Sequence, residues 1–306
     1  MNIVSLFAGA GGLDLGLINA GHNIIWANDI DKDSCETYKK NIGNHIICED
    51  IAKVDFNTIP NSDVIVGGFP CQGFSLANLN RKPEDSRNEM YKHFYQLVDS
   101  KQPKYFLAEN VRGILSLGKG EVIKQIVKDF ENAGYRVKYK VFNTAEYGVP
   151  QSRVRVIIAG TRKDIPHDLD FQFPEKIFEK EEWVSIGNAL AEIPEPDQNH
   201  NLLNHIYSKY KVTNRNFTGH RTTDPSKPSP TILARGNGKG GVCAIQHPNN
   251  HRRMSVRESA IIQTFPLDFE FHGSMTSMYR QIGNAVPVLF ASYLGEELTK
   301  LEKILL

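Results

Sequence analysis

Residues 3–12 read Ile3-Val4-Ser5-Leu6-Phe7-Ala8-Gly9-Ala10-Gly11-Gly12: a short β-branched run that passes directly into a glycine-rich turn. A helical pattern follows from Leu13 to Ala20. Glycines there permit a tight turn and close backbone approach to a ligand lying over a helix N-terminus. By itself such a turn is as often a packing device as a binding site.

The same rhythm continues. Strands are predicted at 24–27, 45–48, 64–66, 105–108, 136–142 and 154–159, and helices at 32–41, 88–100 and 121–133. Strand–helix alternation at this spacing argues for βαβ units and an α/β fold with a doubly wound, mostly parallel sheet. The runs at 64–66 and 105–108 are apolar throughout, as expected of central strands covered on both faces. Beyond Gly160 the pattern breaks into Pro-, Asn- and Gly-rich sequence, and helical patterning returns at 255–263 and from 287 onward. The expected organisation is one large domain, 1–164 with 254–306, carrying a smaller irregular domain at 165–253.

Of the 306 residues, 40% are hydrophobic and 23% charged, which excludes a disordered or low-complexity chain. No apolar run approaches the ~20 residues a bilayer requires, and the opening residues lack a basic leader pattern. Cys35, Cys48, Cys71 and Cys243 stand apart, without CxxC or metal-ligand spacing. They predict a reduced, intracellular setting and no metal.

The net charge of +1 conceals an asymmetry. Residues 161–200 carry four basic and ten acidic side chains, whereas 201–257 carry ten Lys/Arg against Asp224 alone. Polyanion binding depends on local basic surface, so the second stretch is a plausible nucleic-acid contact region, with a solvated basic face as the bland alternative.

The second strand ends at Asn28-Asp29, where a doubly wound fold places an acid on a ribose hydroxyl pair. The third ends at Glu49-Asp50-Ile51, an acid able to accept from an adenine amino group. An adenosine-containing cofactor is favoured, with NAD and S-adenosylmethionine both open. Strand 64–66 runs into Gly67-Gly68-Phe69-Pro70-Cys71-Gln72-Gly73-Phe74-Ser75, placing Cys71 at the crevice edge, where a thiolate could act as nucleophile. Glu109, leaving the next strand at that edge, is a candidate proton donor. Arg153 and Arg155 are two apart and share one strand face, suited to an anion or a planar carbonyl edge.

FAGAGG, GGFPCQGFS, ENV, QSRVR, SVRE followed by QTFP, and GNAVP occur in the order and rough spacing of the cytosine-C5 DNA methyltransferases. The chain resembles that family from Ile3 to Pro287, apart from roughly 165–250, and is similar in size to the compact prokaryotic modification methylases. The resemblance implies that Cys71 adds to C6 of a flipped-out cytosine while Glu109 protonates N3, with Arg155 and Arg153 on the base edge. It implies S-adenosylmethionine held by Phe7, Ala8, Gly9 and Gly11, by Asp29 on the ribose and by Asp50 and Ile51 at adenine. Pro70 would lie beside the sulfonium and Asn284-Ala285 over the methionine part. The family commonly has Glu where this chain has Asp29, one methylene shorter.

Segment 165–253 is by the same resemblance a target-recognition domain, with Arg235, Asn237 and Lys239 as groove or phosphate contacts. Ser75, Asn78, Arg81 and Lys82 belong to a loop, 72–87, expected to close over DNA. Arg257 is expected both to tie the domains together, with Glu258, and to contact DNA. The implied partner is double-stranded DNA, with a cognate restriction endonuclease acting on the same site without a stable complex. The implied setting is a monomer in the prokaryotic cytoplasm, on nucleoid DNA. Three rivals are weighed. A tRNA cytosine methyltransferase is disfavoured because that branch carries a second proline before the cysteine, unlike Phe69-Pro70-Cys71. A non-catalytic DNA-binding regulator is disfavoured because all four reactive residues are present, and an NAD-dependent oxidoreductase rests on the glycine turn alone.

Overall fold

The computed structural model describes residues 1–70, 89–209, 222–234 and 245–305. Strands β1 (Asn2–Leu6), β2 (Asn23–Asp29), β3 (Ile46–Cys48), β4 (Val64–Gly67) and β5 (Tyr105–Val111) are joined in the order 3-2-1-4-5 by parallel pairings. β6 (Tyr135–Asn143), β7 (Gln151–Ser152) and β8 (Val154–Arg162) follow. β8 lies antiparallel between β5 and β6, completing a seven-stranded, mostly parallel sheet. Strand order reverses beside β1, so the crevice at the carboxyl ends of β1 and β4 is the expected ligand position.

Helices cover both faces. One apolar cluster packs α1 (Gly12–Asn19), α2 (Lys32–Asn41) and α8 (Val288–Leu305) on the sheet; the other packs α3 (Glu89–Lys101) and α4 (Glu121–Asn132). α2 has the span that its pattern predicts, because Asp31 caps it through Ser34 N–H. α1 and α8 approach closely. A Cβ on Gly16 would lie 2.4 Å from Ala291 Cβ, so the contact requires glycine.

Three features go beyond the local pattern. The pattern ends β5 at Ala108, but the strand runs on to Val111 because β8 continues the ladder, pairing Glu109 with Ile157 and Val111 with Arg155. Helix α7 (Met275–Asn284) was absent from the sequence reading. Its surface is largely polar and only Ser277, Met278, Gln281, Ile282 and Gly283 are buried. Finally, apolar packing crosses both expected domain boundaries. Ile165, Leu169 and Phe171 are buried against the sheet, so the chain stays with the large core past residue 164. A third cluster joins Ile186, Leu190, Ile232 and Ile245 to α6 (Val256–Ile262) and α7, across the expected break at 253.

Candidate active site

A cleft of about 670 Å³ opens at the carboxyl ends of β1, β2, β4 and β5. Phe7 and Gly9 both take positive φ, +55° and +56°, where the chain turns off β1. A left-handed phenylalanine is a strained conformation of the kind that clusters at ligand sites. A Cβ on Gly9 would meet nothing, so this edge of the turn is open; Gly11, at φ +90°, lies hard against Tyr38 and Ile42. The two glycines therefore serve different ends: Gly9 opens the turn, Gly11 packs it.

Asp29 fixes the turn. Its carboxylate accepts from Gly9 N–H at 2.7 Å and Asp31 N–H at 2.8 Å. Burial pushes its pKa up, and those N–H groups oppose the rise. Asp50 caps a short 3-10 turn through Ala52 N–H, and the buried Ile51 follows it. Pro70, Asn284 and Ala285 also line the cleft.

Among the further residues that line the cleft, three bear directly on its chemistry. Ile30 is 67% exposed in the cleft wall beside Asp29; an apolar residue directly after the acid at a strand end was its available signal. Arg280 reaches from α7 to Asp31 Oδ2 at 2.6 Å, invisible once α7 itself had been missed. Asp14 is fully buried beneath the turn, held by Ser5 Oγ at 2.7 Å and Tyr38 OH at 2.8 Å. Desolvation raises its pKa to about 6 against those two hydrogen bonds.

At the other end of the cleft, Glu109 and Arg155 are diagonal neighbours on one face of the β5–β8 ladder. Arg155 Nε lies 2.8 Å from Glu109 Oε1. Oε1 is nonetheless buried without an aligned hydrogen bond, as is Arg153 Nε. The two arginines have different surroundings. Arg155 Nη1 donates to the Val154 carbonyl, whereas Arg153 spends Nη1 on the Ile232 carbonyl and Nη2 on the Gly283 carbonyl. Burial, with Arg155 adding to it and Glu109 opposing, pushes the Arg153 guanidinium down to about 9. Arg153 thus ties β8 to the third core. Beside it Gln151 and Gln263 meet at 2.7 Å, and Gln263 Nε2 donates to the Ile282 carbonyl.

The structure places Arg257 in the interior, joining segments as expected, and not on a surface where the expected DNA contact would lie. It is fully buried, donating to the carbonyls of Leu203, Pro266 and Phe269. Its charge is used internally, as is that of Glu258, which takes two hydrogen bonds from Arg252. Glu195, His247 and His251 offer ligand atoms within 4.8 Å of one another, but Arg252 Nε at 2.6 Å already neutralises Glu195. Cys71, Ser75, Asn78, Arg81, Lys82, Arg235, Asn237 and Lys239 lie outside the described residues. Among the described residues no helix is long and apolar enough to cross a membrane.

The chain is 42% identical to the Type II methyltransferase M.NgoFVII of Neisseria gonorrhoeae, over 93% of this chain and 83% of that one. It is 38% identical to the Type II methyltransferase M.FnuDI of Fusobacterium nucleatum, over 99% and 97%. The crystal structure of the S. pombe Dnmt2 methyltransferase shares the fold, with a TM-score of 0.74 at 22% identity, covering 100% and 99% of the two chains. Residues 1–300 match the profile of the C-5 cytosine-specific DNA methylases, and the chain belongs to that family.

Proposed function

We propose that this DNA cytosine-C5 methyltransferase acts through a covalent bond between Cys71 and C6 of a flipped-out cytosine, with S-adenosylmethionine as donor. The observation that carries the reading is the Glu109–Arg155 pair at the floor of the cleft, with Glu109 Oε1 and Arg153 Nε both buried and lacking aligned partners. Buried polar atoms of this kind cost free energy unless a ligand completes them.

The cleft residues fit the donor. The turn is open at Gly9, and the Asp29 oxygens retain lone pairs for a ribose hydroxyl. Ile30 presents an apolar surface to the adenine ring, Asp50 and Ile51 flank it, and Phe7, Ala8 and Gly11 shape the turn. Pro70, Asn284 and Ala285 would hold the methionine end. Cytosine C5 is a poor nucleophile. Addition of the Cys71 thiolate at C6, with a proton passing from Glu109 to N3, converts C5 into an enamine carbon. Arg155 holds the Glu109 carboxylate and faces the base edge; Arg153 braces the strand beneath. When bound, S-adenosylmethionine would supply a sulfonium methyl to C5; the C5 proton then leaves to solvent, the Cys71 thiolate is expelled, and the N3 proton returns to Glu109, which restores the ring.

The target atom lies inside the duplex stack, so the base must leave it. Residues 72–87, with Ser75, Asn78, Arg81 and Lys82, and the basic segment with Arg235, Asn237 and Lys239, are the DNA contacts of this reading. The enzyme acts as a monomer, and a restriction endonuclease of the same specificity accompanies it without forming a stable complex.

Duplex oligonucleotides carrying 5-fluorocytosine at the target, located first by bisulfite sequencing, test the mechanism. A denaturant-stable adduct that Cys71→Ser abolishes is expected. Absence of the adduct with donor present overturns the covalent route, and tritiated methyl found in tRNA but not DNA overturns the substrate.

A further inference from the structure

Cys35 and Cys48 stand thirteen residues apart, and no motif links them. The fold brings both to Asp29. Cys35, on the first turn of α2, is fully buried, and its thiol donates to the Asp29 carbonyl at 3.5 Å. Cys48 ends β3, is exposed, and is the register partner of Asp29 in the β2–β3 ladder. Glu49 N–H, from the residue after Cys48, donates to that same Asp29 carbonyl at 3.1 Å, so the Cys35 thiol and the end of β3 meet at one oxygen. Lys39, one turn on from Cys35 in α2, is ion-paired to Glu36 at 2.9 Å.

Their environments differ in a useful way. Burial pushes the Cys35 thiol up, which keeps it protonated and protected. Cys48 is open to solvent, where an oxidant can reach it. In a reducing compartment such pairs are transient redox elements more often than structural crosslinks.

We propose that Cys35 and Cys48 form a reversible disulfide that weakens cofactor binding by displacing the backbone on both sides of Asp29. The inference rests on the reading of Asp29 as the ribose ligand. The oxidant is a hydroperoxide. The Cys48 thiolate attacks one peroxide oxygen: an S–O bond forms, the O–O bond breaks, and the departing hydroxide leaves as water. The Cys35 sulfur then attacks the Cys48 sulfur. An S–S bond forms, the S–O bond breaks, and the second hydroxide leaves as water with the Cys35 proton. Two thiols are oxidised while one hydrogen peroxide is reduced to two waters; a dithiol reverses the change.

A disulfide holds its sulfurs about 2.05 Å apart, well inside thiol–thiol contact, so closure draws α2 toward β3. It also removes the S–H donor from the Asp29 carbonyl, leaving Glu49 N–H at 3.1 Å as its partner. Asp31, which caps α2 and donates to the Asp29 carboxylate, moves with the helix.

The full-length protein is treated with hydrogen peroxide, alkylated, digested with trypsin and mapped without reductant. Peptides 33–39 and 41–53 are expected as one linked species, absent from Cys35→Ser and from Cys48→Ser. Calorimetric titration with S-adenosylmethionine should show the oxidised protein binding about tenfold more weakly. Dithiothreitol should restore it, and Cys35→Ser should bind equally with and without peroxide. Failure to find the linked peptides overturns the disulfide, and linked peptides with unchanged affinity overturn the switch. A reduced protein that binds no S-adenosylmethionine defeats the cofactor reading itself, which the peptide map reads separately.

Discussion

Asn110 Nδ2 donates to the Phe69 carbonyl at 2.9 Å, tying the end of β5 to the chain leaving β4 two residues before Cys71. The same side chain accepts from Val111 N–H through Oδ1, and it is almost completely buried. It therefore sets the chain that leads to Cys71, the proposed nucleophile, against the strand that carries Glu109. Asn110→Ala should cost about 1–3 kcal/mol of stability, because a buried carbonyl loses its partner. Turnover should fall about 10–100-fold, with the S-adenosylmethionine Kd within about twofold of wild type. Methyl-transfer kinetics beside calorimetry check this split; a loss confined to cofactor binding refutes it.

Glu109→Gln keeps the shape of the side chain but can neither pass a proton to N3 nor pair as an anion with Arg155. A positioned acid contributes about 10²–10⁴-fold, and kcat should drop within that range while the KM for DNA changes little. Single-turnover methylation measures it, and near-normal kcat would assign the proton to another group.

Asp14 provides a pH test. Its pKa is about 6 in the fold, against 3.8 as the ordinary value, so the folded state holds a proton that the unfolded chain releases in that interval. Its contribution is most favourable below about pH 4 and is lost as pH rises through about 6, a cost of up to about 3 kcal/mol. Asp14→Asn removes this titration but turns one acceptor into a donor facing Tyr38. Relative to wild type, the variant should gain about 1–3 kcal/mol between pH 4.5 and 7.5 in urea unfolding. A difference that is flat with pH would show that Asp14 does not titrate there.

Arg257→Lys retains a charge but cannot reach three carbonyls at once. Stability should fall by on the order of 3 kcal/mol, since buried acceptors go unmet. DNA affinity of the folded enzyme should be unchanged within about twofold at fixed salt. Thermal unfolding and fluorescence anisotropy decide it: a variant as stable as wild type with weakened DNA binding would restore the surface role expected from sequence.

Ile30→Ala trims an exposed side chain, so the unfolding midpoint should not move. If its apolar surface meets the adenine ring, the cofactor Kd should rise about fivefold, equivalent to roughly 1 kcal/mol. Calorimetry reads both sides of this expectation.

The rhythm of strands and helices across the first half of the chain is local chemistry, and the sequence carried it nearly to the residue. Short β-branched runs cannot be amphipathic helices, and Asp31 caps α2 wherever the helix is placed. The glycine-rich turn after β1 and the acid that ends β2, Asp29, were equally legible, because both are written in consecutive positions. The continuation of β5 through Glu109 was not, since it depends on hydrogen bonds from β8, some 45 residues away. Nor were the interior place of Arg257, the bracing role of Arg153, the burial of α7 in the third core, or the meeting of Cys35 and Cys48 at Asp29. Each is a relation between segments distant in the chain. Local pattern records which residues could pair or be buried; only the packed fold selects which carbonyl an arginine finds and which thiol lies beside another.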